Sequence, residues 1–354
     1  DGDDEVKEKY RDIVDDLLLM DELSRRLKER RGRAGSIDFD LPEPQVIIDI
    51  EGRIEDIVRS EQNRAHQVIE EFMLAANRAV ALRMGTVPFL YRVHDEPDNE
   101  TVKDFLAFVH NFGYKLKKRK IGTPLFQDIL EKAKGRPEER LINHLLLRSM
   151  KRALYSEENR GHFGLAFDHY THFTSPIRRY PDLVVHRLLK RMIQGRYGIK
   201  ERMRWKSLLP QIAEQSSDRE RVAMEAEREV VDLKKAQFMC DKVGEQYSGL
   251  ISGVTSFGLF VELEEYFVEG LVHISNLKDD YYTFVEEHYS LIGEGTGKRY
   301  RIGDRVQVEI TGVDMGKRRI AMEIIEECSS RGERAGQIHR GGRKGRRKGK
   351  REYR

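Results

Sequence analysis

The stretch Asn159-Arg-Gly-His-Phe-Gly-Leu-Ala-Phe-Asp-His-Tyr-Thr-His-Phe-Thr-Ser-Pro-Ile-Arg-Arg-Tyr-Pro-Asp-Leu-Val-Val-His-Arg187 packs more reactive side chains together than any other part of the chain. Ser175 before Pro176 reads as a helix N-cap followed by a residue preset for the first helical position, which places Ile177, Arg178 and Arg179 in the opening turn. Free backbone N–H groups and two guanidinium forks then point one way, an arrangement that suits a phosphate and the charge that builds on it during displacement. The same spacing also fits an ordinary basic helix start pairing with Asp182, and spacing alone leaves both open. His162, His169 and His172 lack a further Cys or His pair at zinc-site spacing, which argues against a zinc centre.

Upstream, residues 5 to 31 predict a helix, with Tyr10, Ile13, Leu17, Leu18 and Leu27 at helical spacing and Gly32 and Gly35 as its stop. Ser36 to Leu41 alternates strictly, and a second strand over Val46 to Ile50 turning at Glu51-Gly52 suggests a hairpin that feeds a helix. Ser60 is the expected cap of that helix, Asn63 stands where a capping box would want Glu or Gln, and Val68, Ile69, Phe72, Met73, Ala76 and Val80 carry its apolar stripe to Gly85. Further helices are expected at about 100–112, 124–134, 137–155 and 181–195, then a long charged one from Ser207 to Lys242 with Pro210 near its start. Beyond Gly244 the apolar period changes from 3.6 to 2, in five segments: 247–254, 258–263, 270–274, 305–310 and 319–324. Five short strands punctuated by glycines predict a small barrel of the OB type. The fold class is therefore α+β, a largely helical body followed by a five-stranded OB-fold β-barrel.

Composition sets the outer bounds. The 354 residues are 39% apolar and 35% charged, with mean hydropathy −0.65 and no run near the ~20 apolar residues of a membrane span, which excludes membrane and fibrous classes. Two cysteines, Cys240 and Cys328, are too few for a disulfide framework, so a reducing cytoplasm is the expected location. The chain starts at Asp1 within a helical pattern and reads as a piece of something longer. Its net charge of +3 is uneven: residues 329–354 hold eleven Lys or Arg against Glu333 and Glu352, a tail at +9 that leaves the first 328 residues at −6 by subtraction. Such a tail cannot bury a core, is expected to be disordered, and attracts polyanions through counterion release.

Taken together, His-Phe-Gly-Leu-Ala at 162–166 and His-Phe-Thr-Ser-Pro-Ile-Arg-Arg-Tyr-Pro-Asp-Leu at 172–183 resemble the signature of the RNB (ribonuclease II) family. The segments Gly35–Phe39, Ile69–Asn77, Leu147–Lys151 and Ala226–Arg228 agree with it, so the likeness spans residues 1 to about 240. Gly270–Ser275 and Tyr300–Asp304 then resemble an S1-type RNA-binding domain over 244–327, and the basic tail 328–354 follows, an order found in the family branch that reaches structured RNA. The resemblance implies the C-terminal part of a processive 3′-to-5′ exoribonuclease that threads single-stranded RNA and hydrolyses it to nucleoside 5′-monophosphates with two divalent ions, Mg²⁺ as cofactor. RNA is the implied partner, with ribosomes or RNA-decay machinery as further candidates, no membrane, and a monomeric state.

The same resemblance implies residue roles. Arg178 would stabilise charge on the attacked phosphate, with Arg179 beside it at the RNA. Phe39 would stack on a terminal base, or else be a core residue of its alternating strand. Glu70 would read a ribose near the 3′ end, where a 2′-hydroxyl can donate and DNA cannot, while Glu71 suggests a solvated helix face. Glu227 would lie near the last nucleotide, or simply belong to a charged helix. Phe257, Phe260 and His273 match the barrel positions that present rings to RNA, and Lys317 or Arg318 could meet phosphate. One of the two Phe could equally be core, and Tyr281, Tyr282 and Phe284 are expected to pack against the body. The family's aspartate cluster is absent: Asp3-Asp4, Asp15-Asp16 and Asp38 with Asp40 are the nearest imitations, so no metal ligand is assigned and the chain alone is expected to hydrolyse nothing. The rival classes are a non-catalytic RNA-binding module that uses barrel and tail, and a phosphoesterase acting on DNA.

Overall fold

A computed structural model describes residues 3–39, 44–51, 54–60, 63–114, 122–136, 138–285 and 289–327. The expected basic tail at 328–354 lies outside the described residues. A short helix α1 (Asp4–Lys9) is capped by Asp3, and α2 (Arg11–Ala34) follows. α2 stops at Gly35, whose φ of +106° lets the N–H groups of Gly35 and Ser36 return to the carbonyls of Gly32 and Arg31.

That reversal overturns the first half of the expected hairpin. Ser36 to Phe39 form no strand. Ser36 and Asp38 turn to the Arg31 guanidinium, while Ile37 enters the core and its N–H goes to Gly164 O at 2.8 Å, so the alternation serves packing on two sides. The hairpin that does form pairs β1 (Pro44–Ile48) with β2 (Ile54–Arg59), antiparallel, with Val46 opposite Ile57. Helix α3 (Arg64–Met84) is capped by Asn63 rather than Ser60: Asn63 Oδ1 accepts from His66 N at 3.0 Å, and the His66 ring completes the box. The capping box therefore sits three residues later than expected, with Asn63 as the cap and histidine in place of the usual Glu or Gln.

The rest of the body comprises β3 (Tyr91–Val93), α4 (Asn99–Asn111), α5 (Thr123–Ala133), α6 (Glu139–Ser149), β4 (Leu154–Ser156), α7 (Tyr180–Ile193) and α8 (Ile199–Cys240). The helix expected over 137–155 ends at Ser149, and the chain continues into β4, which pairs antiparallel with β3. α8 begins eight residues before the expected Ser207, so Pro210 sits inside it. Burial of Trp205, Leu209 and Ala213 against α7 and the Phe89–Leu90 core offsets the backbone bond that proline removes. Two body cores result, one around Phe89, Val184, Leu188 and Leu209, the other around Ile37, Phe105, Phe126, Ile142 and Leu146.

All five expected barrel strands are present: β5 (Gln246–Thr255), β6 (Gly258–Leu263), β7 (Glu269–His273), β11 (Arg305–Asp314) and β12 (Arg319–Glu327), closed in the order β11-β12-β7-β6-β5. Leu259, Val261 and Leu263 alternate inward, with Val272, Val306, Val308, Ile310 and Met322 across from them. The long connection holds a further antiparallel sheet, β8 (Tyr282–Val285), β9 (Ser290–Gly293) and β10 (Arg299–Arg301). Tyr282 and Tyr300 bury in the barrel's core cluster, whereas Tyr281, expected to be packed, is 85% exposed because it precedes the paired strand.

Barrel and body share apolar contacts. Ile57 of β2 and Met239 of α8 belong to the barrel's core cluster. Arg140 of α6 pairs with Glu262 of β6 and lies 5.5 Å over the Phe267 ring, Lys235 Nζ donates to Phe267 O at 2.9 Å, and Phe108 meets Tyr289 edge-on at 5.4 Å.

Candidate nucleic-acid interface

The stretch from Glu157 to Arg179 holds almost no regular structure, yet it is fastened on three sides. Toward β3, Arg92 N donates to Tyr170 O (3.0 Å), His94 N to Gly161 O (3.1 Å) and Phe163 N to His94 O (2.8 Å). Toward α3, Asn77 Nδ2 donates to the Tyr170 hydroxyl at 3.0 Å and its Oδ1 accepts from Phe173 N at 2.9 Å. The third anchor is Gly164 O, which takes the N–H of Ile37 from the segment after α2.

Histidines in and beside this loop make structural hydrogen bonds. His94 accepts from Gly164 N through Nδ1 at 3.0 Å and donates from Nε2 to Lys151 O at 2.8 Å. His172 Nδ1 accepts from the Tyr155 hydroxyl at 2.9 Å, and His186 donates to Phe173 O while stacking on the Phe173 ring at 4.2 Å. Burial first, then the Arg179 and Arg92 charges, push His172 down to about 2; burial and the neighbouring His94 and Arg92 charges push His162 down to about 3. Both are neutral acceptors at physiological pH. Among the described residues no group of three or more His, Cys, Asp or Glu converges as a metal site. The local carboxylates are otherwise engaged: Asp182 with Ser175 and Arg179, Asp38 and Glu71 with Arg31. The described residues therefore do not fit a pair of divalent ions.

The arginine turn differs from the expected helix start. Pro176 to Arg178 form a single turn closed by Arg179 N to Ser175 O at 3.0 Å, and α7 begins only at Tyr180, with Arg179 as its N-cap residue. Asp182, fully buried, explains the break: its Oδ1 accepts from Ser175 N and from Arg179 Nη2, both at 2.8 Å, drawing the turn onto α7. The two readings left open by the spacing therefore divide between the arginines. Arg179 is tied to the buried carboxylate, and Arg178 is exposed with no hydrogen bond or ion pair to a described residue.

The remaining candidates distribute as follows. Phe39 is partly buried against the Phe126 core, next to the half-exposed Asp38. Glu70 is exposed on α3, seven residues before Asn77 and hence on the same helix face, about 10 Å along the axis from the loop's anchor. Glu71, expected on a solvated face, is instead 5% exposed because Arg31 of α2 meets it at 2.7 Å. Glu227 lies in a stretch of α8, residues 221–230, that is exposed all round. Arg31 escaped the sequence reading, although its place on the stripe of Ser24 and Leu27 marked it as facing α3. On the barrel, Phe257 and Phe260 stand edge-to-face at 5.9 Å, and His273 lies opposite Gly258 on the adjoining strand, so the three gather at one end of β6 and β7. Phe257 is 46% exposed, while Phe260 is half-buried with its ring over Gly253. Arg318 pairs with Glu229 of α8 at 3.0 Å.

A helical body whose loop over 157–179 presents the exposed Arg178, joined to an aromatic-faced five-stranded barrel, fits an RNB domain followed by an S1-type domain. The RNB domain family matches residues 1–195 and the S1 RNA binding domain residues 241–325. The chain belongs to the RNB family. Ribonuclease R of Aquifex aeolicus is 47% identical over 332 residues, covering 92% of this chain and 46% of that protein. Among solved structures, the apo form of Mycoplasma genitalium RNase R and its complex with ribose methylated single-stranded RNA each match with a TM-score of 0.83 at 30% identity, covering 88% of this chain and 50% of theirs. The chain thus spans about half the length of these relatives. No described helix is long and apolar enough to cross a membrane.

Proposed function

We propose that residues 1–240 are the part of a 3′-to-5′ exoribonuclease that grips the 3′ end of single-stranded RNA, and that the barrel over 244–327 guides the strand toward it. The observation that carries this reading is the exposed Arg178 on a loop fixed to α3 and to the Phe39 segment, while its neighbour Arg179 is tied to the buried Asp182. In this arrangement Arg178 meets the attacked phosphate as a planar fork, Glu70 accepts from a ribose hydroxyl and Phe39 stacks on a base. Arg179 holds the turn and Glu227 approaches the terminal nucleotide from α8. Product nucleoside 5′-monophosphates and dependence on Mg²⁺ belong to the longer protein, whose further residues would hold the metal. Named relatives called ribonuclease R, one of them solved with single-stranded RNA, support the reading.

The test has two arms. The 354-residue chain with Mg²⁺ should bind a 5′-labelled single-stranded RNA without shortening it, and shortening would refute the assignment of metal binding elsewhere. The longer protein should release mononucleotides from the 3′ end, with Arg178→Ala lowering kcat far more than it raises KM; equal activity on DNA of the same sequence would refute the ribose reading.

A further inference from the structure

Arg31 makes five hydrogen bonds from one guanidinium and takes no part in the proposed contacts to RNA. Its guanidinium is 6% exposed, and its five N–H donors can all be assigned. Nε and Nη2 donate to Glu71 Oε1 at 3.2 and 2.7 Å, Nη1 to Asp38 Oδ1 and Ser36 Oγ at 2.6 Å each, and Nη2 reaches Asp38 Oδ2 at 3.5 Å. Ser36 Oγ donates onward to Gly164 O at 3.4 Å, within the motif loop. One planar fork therefore joins α2, the Ser36–Phe39 segment and α3, and through Ser36 the loop that carries Arg178.

The partners of Arg31 are the immediate neighbours of the two residues proposed to recognise the RNA end. Asp38 precedes Phe39, and with Ser36 and Asp38 drawn to Arg31 the alternate residues Ile37 and Phe39 turn to the core side. Glu71 follows Glu70, and fixing Glu71 against α2 leaves Glu70, about 100° further round α3, facing solvent. We propose that Arg31 is a positioning residue that sets Phe39 and Glu70 relative to one another, so that preference for a 3′-terminal ribose depends on a guanidinium that does not itself touch RNA. The proposal rests on the reading of Glu70 as the ribose-sensing carboxylate. Lysine would keep the charge and lose the fork, since an ammonium cannot hold two carboxylates and a hydroxyl in one plane.

The experiment measures the affinity of the 354-residue chain for a short oligonucleotide ending in two ribonucleotides and for its twin ending in two deoxynucleotides. A hydrogen bond from a 2′-hydroxyl to a carboxylate makes the expected wild-type preference about tenfold. Glu70→Gln should reduce it, and so should Arg31→Lys and Asp38→Asn, each to within about threefold of no preference. Asp38 is half-exposed, so its amide leaves no buried charge unpaired and the variant keeps the fold. Val308→Ala, a truncation in the barrel core, away from this network, should lower the melting temperature and leave the preference intact, which separates positioning from mere stability. If Glu70→Gln alone removes the preference while Arg31→Lys and Asp38→Asn keep it, the role of Arg31 is overturned and the ribose reading stands. If Glu70→Gln changes nothing, the ribose reading falls and the role of Arg31 with it.

Discussion

Acid should destabilise the motif loop through His162 and His172, which are neutral in the folded chain. Each ring accepts through Nδ1, His162 from Leu165 N at 3.3 Å and His172 from the Tyr155 hydroxyl at 2.9 Å. Tyr155, pushed up to about 12 chiefly by its own burial, stays protonated and donates. A proton on either Nδ1 removes the acceptor and sets a positive charge near Arg92. In the unfolded chain both rings take up a proton near 6.5, whereas the folded values are about 3 and about 2. Between those limits the unfolded state binds more protons, so stability rises with pH and is lost as pH falls below about 6.5. One unit below that value each ring costs about 1.4 kcal/mol, or about 3 kcal/mol for the pair at pH 5.5, a substantial share of the roughly 5–15 kcal/mol that holds a domain. His94, lowered by its burial, acts in the same direction. The assay is the urea midpoint at fixed ionic strength from pH 7.5 to 5.5, for wild type, His172→Gln and His162→Gln. Wild type should lose midpoint steeply below 6.5, and each variant should show a shallower slope, since an amide oxygen accepts without titrating. A flat wild-type profile, or slopes unchanged in both variants, would refute the reasoning.

Three further outcomes follow from the geometry. Phe257→Ala should weaken single-stranded RNA binding about five- to a hundredfold, the loss of one stacked base at about 1–3 kcal/mol, with melting temperature unchanged because Phe257 is exposed; fluorescence anisotropy and a thermal scan check both. Asp182→Asn should cost about 2 kcal/mol in chemical denaturation, since it removes the charge that engages Arg179 at a carboxylate with no solvent exposure. Gly164→Ala should cost about 1–3 kcal/mol, because the added Cβ would stand 3.0 Å from His94 Nδ1, the atom that accepts the Gly164 N–H; a variant as stable as wild type would show that the ring can give way.

The barrel was legible almost strand for strand, because a period of two between glycines has few other solutions and inward positions such as Leu259 and Val261 must be apolar. The small β8–β10 sheet was not, since its strands of three or four residues are too short to show a period. Ser36 to Phe39 alternate without forming a strand for a physical reason: alternation records two chemically different sides, and here one side is a buried arginine rather than solvent; Asp40 and Leu41 lie outside the described residues. At Ser175 the expected helix cap does not form: a carboxylate seven residues on takes the Ser175 N–H, the chain makes one isolated turn, and the helix starts at Tyr180 with Arg179 as its N-cap residue. Arg178 was singled out by its motif, yet its distinction from Arg179 depends on which fork reaches Asp182, a matter of three-dimensional register. Arg31 carried only its helical phase as a signal, and its partners are 5, 7 and 40 residues away.

The outward face of β6 links the barrel's exposed rings to the body. Gly258, Phe260 and Glu262 share that face, because Leu259, Val261 and Leu263 fill the barrel. Phe260 stands beside Phe257 at the end where rings are presented, while Glu262, about 7 Å further along by strand rise, meets Arg140 of α6. Burial raises the pKa of Glu262, Arg140 lowers it, and Glu269 on the adjoining strand and Lys235 of α8 are its other charged neighbours. Docking takes this carboxylate out of water, and Arg140 and Lys235 of the body supply the positive charge that offsets the cost. Ile57 and Met239, which complete the barrel's core cluster from the body side, add an apolar reason for the same seating. The aromatic end of β6 is therefore held at a set distance from α6, with Phe257 and Phe260 fixed relative to the body.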